Sequence, residues 1–430
     1  MAKRVVLATF GSMGDLYPFI AVALALKERG ARPVIACAAD YHREMVEAAG
    51  IEFHEVAPRF TQVMEDAGID GGDMIRGIAK QSVRFLIDNF VTPYLDKSFA
   101  DMCEVMQGAD VAVISSLAVP ARIAAAKLGV PVASVLLSPC LYFSAEEPGH
   151  FLEAPWLPGF RRLFGARATC ALMNIGRAQS RRALRALTDF RRRVGVAVPP
   201  GDEIIDVPLQ AERVFGLYSP HLGALPADAP AQARIAGFSF YDGAAGGATP
   251  LSHEAEEFFA TGLPPVVFTL GSSGVHAPGR FYEEAVEAAR SLRKRAFLLV
   301  GEDTAQAAHL AARDVCVVGY APHSLVFPRA AAVVHHGGIG TVAQAMRAGR
   351  PQLVCPMLGD QADNAERLIR LGVAGRLDHK SFTAERAARA LGWLTSGAGV
   401  AARAGAIATS VAAEDGAGIV ADEILAMCAG

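Results

Sequence analysis

The chain has 430 residues, of which 52% are hydrophobic and 20% charged, and its formal net charge is −3. That much apolar material excludes an intrinsically disordered chain, and the length suggests two domains. A near-balanced charge gives no bulk preference for nucleic acid, and none is expected as a partner.

In chain order, residues 4–9 read as a strand buried on both faces. Residues 16–29 have helical spacing and stop at Gly30. A strand at 33–38, a short helix at 41–49 ended by Gly50 and a strand at 51–56 follow. Residues 59–105 read as mostly helical but irregular, with GGDMIRG in the middle. Strands at 111–114 and 132–136 flank a helix around 121–128. Residues 222–250 are rich in Ala, Gly, Pro and Asp, a linker composition. The scheme then repeats, with strands at 266–270, 296–300, 315–318, 332–335 and 352–355. Helices are expected at 281–293, 341–347 and 362–371, and from about Ala384 the chain reads as helical with a break near Gly397. This alternation argues for α/β units with parallel sheets. The string Thr9-Phe10-Gly11-Ser12-Met13-Gly14 is echoed by Thr269-Leu270-Gly271-Ser272-Ser273-Gly274. Two Rossmann-like, doubly wound domains explain the echo, with ligands at the carboxyl ends of the strands.

Four motifs carry candidate chemistry. His335-His336-Gly337-Gly338-Ile339-Gly340-Thr341 follows a strand and opens a helix. Its glycines let backbone approach a ligand, and free N–H groups at a helix start bind phosphate. No Lys follows the glycines, so this is not a Walker A loop, and the GxGxxG pattern of nicotinamide enzymes is absent. Asp360-Gln361 offers acceptors and donors for sugar hydroxyls, although Asp also serves as a plain N-cap. Tyr320-Ala321-Pro322-His323 sets an aromatic on a rigid strand-end loop, where it either stacks on a base or simply turns the chain. Asp15, in Gly11-Ser12-Met13-Gly14-Asp15, is placed to act as a general base and equally to cap the next helix.

Taken in order, YAP, HHGGIGT and AGRPQLVCPMLGDQADNAERL resemble the donor signature of the nucleotide-sugar-dependent GT-B glycosyltransferases. That family includes plant secondary-product glucosyltransferases and bacterial antibiotic and lipid glycosyltransferases. Within it, GSMGDLYPFIAVALALKERG and GDQADNAERLIRLG are most similar to the rhamnosyltransferase chains of rhamnolipid synthesis. The resemblance implies two Rossmann-like domains facing each other across a cleft. An acceptor domain over 1–221, a linker over 222–250 and a donor domain over 251–405 are expected, with a helix over 406–430 returning to the first domain. It also implies that Tyr320 stacks on a pyrimidine, with Ala321 and His323 beside it and Gln344 near the ribose. Gly14, Gly271, Ser272, Ser273, Gly338, Gly340 and Thr341 would hold the diphosphate together with His335 or His336. Asp360 and Gln361 would bind the sugar, and Asp15 would be the base of an inverting transfer from a UDP- or dTDP-sugar. No metal and no further cofactor are implied.

The first domain's variable region holds Phe60, Met64, Phe85, Phe90, Leu141, Tyr142, Phe143, Phe151, Trp156 and Phe160, which suits a hydrophobic small-molecule or lipid acceptor. Residues 161–193 hold ten Arg against one acid, a basic face suited to an anionic membrane or an acidic acceptor. Seven cysteines without a CxxC pair fit a reducing cytoplasm. No signal-peptide pattern opens the chain, and residues 111–140 are too often interrupted to span a membrane. A soluble, cytoplasmic enzyme is the expectation, with peripheral contact at the inner membrane face. A nucleotide-sugar epimerase of the same fold and a catalytically inactive partner-binding homologue remain the alternatives.

Overall fold

The computed structural model describes residues 2–40, 42–81, 83–243, 250–396 and 398–429. The expected break at Gly397 and residues 244–249 of the expected linker lie outside them. The chain forms two units: Met1–Asp70 with Lys80–Ala245 and Asp415–Gly430, and Gly71–Ala79 with Gly246–Glu414.

The first unit is built on an all-parallel sheet of β1 (Arg4–Ala8), β2 (Arg32–Cys37), β3 (Glu52–Glu55), β4 (Val111–Ser115), β5 (Val132–Leu136), β6 (Arg213–Gly216) and β7 (Ala233–Ile235). Its order is β3-β2-β1-β4-β5-β6-β7, so the winding reverses between β1 and β4. Helices cover both faces, which is why β1 and β4 read as unbroken apolar runs and not as an alternation. Val6, Ala8, Val34, Ala112 and Ile114 pack with Met102 and Met106 on one helix and Ala121 and Ala124 on another. The Gly416–Met427 helix packs on the Met13–Glu28 helix, and Arg29 clasps Asp422 at 2.6 Å.

The second unit repeats the plan with β8 (Val266–Thr269), β9 (Ala296–Leu299), β10 (Val315–Val318), β11 (Ala332–His335), β12 (Gln352–Val354) and β13 (Ala374–Arg376). All pairs are parallel, in the order β10-β9-β8-β11-β12-β13, and the winding reverses between β8 and β11. Phe268 and Phe297, on β8 and β9, are fully buried, each worth roughly 1.5–3 kcal/mol of transfer free energy.

Three boundaries differ from the expected ones. The expected linker contains β7, a three-residue edge strand whose central Arg234 is exposed, so it carries no apolar run to betray it. The Ala398–Ala412 helix stays in the second unit instead of leaving it at 406. It packs on the Ile339–Arg347 helix, close enough that a Cβ at Gly349 would lie 3.1 Å from Ala408 Cβ. The chain returns to the first unit only at Asp415. Gly71–Ala79, expected in the first domain, belongs to the second unit, where Gly71 has no side chain to keep His276 away.

Candidate active site

In the second unit the candidate residues lie beyond the carboxyl ends of β8, β10, β11 and β12, and the loops after β8 and β11 flank the winding reversal. β11 pairs with β8 so that His335 lies opposite Thr269. The loop after β11 therefore meets the loop after β8. His335 is fully buried. Its Nδ1 accepts the Gly337 N–H at 3.1 Å, so its Nε2 carries the proton and donates to Gln352 Oε1 at 2.9 Å. Burial pushes its pKa down to about 4, partly offset by Gln352, and the ring is neutral at pH 7. Both ring nitrogens are thus spent on the scaffold. The spacing left His335 and His336 as alternatives for the diphosphate, and the His335 ring has no nitrogen left to offer.

His336 is the histidine that remains. Its ring sits between Gly271 and Gly338, and a Cβ on either glycine would overlap it. Gly271 also has φ +69°, in the left-handed region, and donates its N–H to Thr269 Oγ1 at 3.1 Å. The ring is half-buried and its Nδ1 has no partner among the described residues. Dense surroundings, then the neighbouring His335 and His323, hold its pKa far below the usual imidazole range, so it too is neutral. Ser272 is exposed and Ser273 half-buried in the short Gly271–Gly274 turn.

The Ile339–Arg347 helix starts at Gly338, with Gly338 and Gly340 half-buried and Thr341 buried. Its first N–H groups have no intrahelical acceptor, and the helix dipole favours an anion there. Gly337, at φ +93°, lets the loop close on Val354 and on the Gln361 backbone, where a Cβ would lie 2.7 and 3.0 Å away.

Asp360 and Gln361 open the Gln361–Arg370 helix. Asp360 makes no capping bond with its side chain. Gln361 Oε1 accepts the N–H groups of Met357 and Leu358 at 2.8 and 2.9 Å, so the carboxamide oxygen holds its own loop. Asn364, which sequence reasoning did not single out, is fully buried and donates through Nδ2 to Gly337 O at 3.0 Å and to Asp360 Oδ2 at 2.9 Å. It ties the histidine loop to the carboxylate. Its position four residues after Asp360, on the same helix face, was the available signal.

Tyr320 is 68% exposed and borders a hollow of about 380 Å³ with Ser252, Thr304 and Gly319. Ala321 is buried, His323 stacks on Phe327 with ring centroids 4.3 Å apart, and Gln344 is half-buried.

In the first unit the Met13–Glu28 helix, which follows β1, carries Asp15 in its first turn. Ser12 and Asp15 form a reciprocal capping box. Asp15 Oδ2 accepts the Ser12 N–H at 2.8 Å and the Ser12 hydroxyl at 3.3 Å. Gly14 gives its N–H to Ser12 Oγ at 3.3 Å, so the group expected to meet a diphosphate is used in the cap. Gly11, at φ +140°, leaves the space that the Asp15 carboxylate fills. Of the candidate acceptor residues, Phe60, Phe85 and Phe90 form one aromatic cluster with Phe10, and Phe143 stacks on Phe151 at 5.8 Å. Tyr142 is buried, whereas Trp156 is 54% exposed.

Among the described residues no three His, Cys, Asp or Glu side chains cluster as metal ligands, and no helix is long and apolar enough to cross a membrane.

Comparison with known proteins matches these units to two family descriptions. Residues 5–134 match the glycosyltransferase family 28 N-terminal domain, and residues 297–427 the erythromycin biosynthesis protein CIII-like C-terminal domain. The chain is 32% identical over 425 residues to O-mycaminosyltylonolide 6-deoxyallosyltransferase of Streptomyces fradiae, covering 96% of this chain and 94% of that protein. The glycotransferase of kitacinnamycin superposes with a TM-score of 0.70 at 21% identity, covering all of both chains. A spinosyn rhamnosyltransferase complexed with thymidine diphosphate superposes with a TM-score of 0.65 at 19% identity, covering 97% of this chain and 98% of that one. With this relative and these two matched domains, the chain belongs to the family 1 GT-B glycosyltransferases.

Proposed function

We propose that the enzyme transfers a hexosyl group, rhamnose or glucose, from a UDP- or dTDP-sugar to a hydroxyl of an apolar natural-product or lipid acceptor. The observation that carries this reading is the His336 cradle. A neutral imidazole with an unpartnered nitrogen is wedged between Gly271 and Gly338 at the start of a helix, beside the Asp360–Asn364 pair. That arrangement suits a diphosphate with a sugar attached. Tyr320 stacks on the pyrimidine, Ala321 meets it through its backbone, and His323 and Gln344 lie toward base and ribose. Gly338, Gly340, Thr341, Ser272, Ser273 and His336 hold the diphosphate. Asp360 and the Gln361 NH₂ read the sugar hydroxyls.

In the transfer, Asp15 takes the proton from the acceptor hydroxyl, and the oxygen attacks the anomeric carbon with inversion. The bond from that carbon to the diphosphate oxygen breaks, and the nucleoside diphosphate leaves with its charge met by N–H donors. The step uses no metal, so activity that survives EDTA is the expected result. The thymidine diphosphate bound by the spinosyn rhamnosyltransferase makes dTDP the first nucleotide to try. Melting temperatures of the chain with UDP, dTDP and their sugars test the reading. Stabilisation by one nucleotide, and diphosphate release that depends on an added acceptor, are expected. No stabilisation by either nucleotide overturns it.

A peripheral contact with an anionic membrane face belongs to the same proposal. In Leu157–Ala183, which breaks at Gly165, only Leu157 and Thr169 are buried, while Leu163 and Phe164 are exposed, with Arg162 before the break and Arg167 after it. Neither arginine has an acidic partner among the described residues. Co-sedimentation with phosphatidylglycerol vesicles at low salt is expected, and none with phosphatidylcholine alone. Equal sedimentation with both refutes the contact.

A further inference from the structure

The geometry points to a second ligand site in the first unit, a hollow of about 410 Å³ that takes an oxyanion, a carboxylate or phosphate group carried by the acceptor. The inference rests on the reading that this unit holds the acceptor. Cys170, Asn174, Arg177 and Arg181, on one face of the Leu157–Ala183 helix, line one wall, and Gly201 and Asp206 the other.

The charges of this hollow do not balance. Asp206 is spent: its Oδ1 accepts from Arg177 Nε at 3.0 Å and its Oδ2 accepts the Asp202 N–H at 2.8 Å. Gly201, at φ +99°, gives the Asp206 side chain its place, since a Cβ there would lie 2.6 Å from Asp206 Cβ. Arg177 in turn donates through Nη2 to Phe143 O at 3.1 Å, which leaves Nη1 uncommitted. Arg181, one turn further on, is exposed and has neither an ion pair nor a hydrogen bond among the described residues. The Asn174 NH₂ reaches only the Cys170 sulfur, at 3.7 Å. The hollow therefore offers one uncompensated guanidinium, one free arm of a second and a weakly engaged carboxamide. Guanidinium groups meet carboxylate and phosphate oxygens in pairs, and a carboxamide adds a donor.

The position fits an acceptor. Phe143 ends the 3₁₀ turn Pro139–Tyr142 beyond the carboxyl end of β5. Arg122, buried, donates to Ser115 O at 2.8 Å, Ser116 O at 2.6 Å and Glu203 O at 3.2 Å, which holds the 201–206 turn over the carboxyl end of β4. Asp15 follows the carboxyl end of β1, which pairs with β4 in the same sheet. The hollow and Asp15 thus share the edge where such sheets bind ligands.

Isothermal titration of the full chain at low salt tests the site, with inorganic phosphate, decanoate and decan-1-ol as probes. Decanoate is expected to bind the wild type, to bind R181Q about tenfold more weakly or worse, and to recover in part with R181K. Decan-1-ol is expected to gain nothing from Arg181. Arg181 holds no structural partner, so R181Q keeps the fold, and dTDP or UDP titration checks the other unit. Equal decanoate binding by wild type and R181Q, or no saturable binding of either anion, overturns the site. Arg181-dependent phosphate binding without decanoate binding overturns the carboxylate source and assigns the site to phosphate groups. If neither nucleotide binds the wild type while decanoate binding still depends on Arg181, the transferase reading fails and the anion site stands.

Discussion

Acidification from pH 8 to pH 5 is expected to cost the second unit about 2 kcal/mol through His335 alone. The ring is fully buried with a folded pKa of about 4, against an ordinary value of 6.5. Below pH 6.5 the unfolded chain takes up a proton at this residue, and the folded chain does not until about pH 4. The stabilisation is therefore complete above 6.5 and is lost as the pH falls from 6.5 toward 4. Each pKa unit is worth about 1.4 kcal/mol, so the full loss is about 3 kcal/mol, of which about 2 has occurred by pH 5. Urea unfolding of the full chain, followed by circular dichroism at pH 8, 7, 6 and 5, measures the slope. The comparison is H335N, whose carboxamide oxygen can still accept the Gly337 N–H but does not titrate. H335N is expected to be the less stable protein at pH 8 and to lose about 2 kcal/mol less than wild type on going to pH 5. Parallel pH profiles for the two proteins would refute the assignment of His335 as a neutral, buried scaffold residue.

Asp15→Asn is expected to lower kcat at least about 100-fold while nucleotide affinity stays unchanged; near-wild-type turnover rules out the base. Gly271→Ala places a methyl group against the His336 ring and is expected to weaken dTDP or UDP binding and to lower stability by about 1–3 kcal/mol. An unchanged melting temperature and unchanged affinity would contradict the cradle. Asn364→Ala unties Gly337 from Asp360 and is expected to raise the donor KM more than it lowers kcat, because Asn364 holds the loop and touches no reacting atom. A loss confined to kcat would assign it another role.

Most strands of the two sheets were legible because a strand covered on both faces must be apolar in its interior, as β1, β4, β8 and β11 are. β7 and β13 were not, since three residues at a sheet edge need little apolar surface, and neither was β6, whose buried Val214 and Phe215 make too short a run. The candidate site was legible as motifs but not as roles. Spacing alone left His335 and His336 equivalent. What separates them is Gln352, seventeen residues away and brought alongside only by the β11–β12 pairing. Likewise Gln361 reads as a sugar ligand, yet its oxygen is committed to the turn before it, a bond that depends on the turn closing.

The echo between Gly11-Ser12 and Gly271-Ser272 has the same packing basis in both units. At both positions the glycine follows the first strand of its sheet, at the winding reversal, with φ in a region that side chains rarely adopt. At both, the volume a Cβ would occupy is taken by a candidate catalytic or binding group. In the first unit that group is the Asp15 carboxylate, four residues ahead in the chain. In the second it is the His336 ring, delivered from the neighbouring strand β11. A glycine there leaves room for a polar side chain against the backbone beyond the strand end. The same fold device thus seats a carboxylate in one unit and an imidazole in the other. The chemistry differs because the second group is chosen by sheet pairing, where the first is chosen by helix capping.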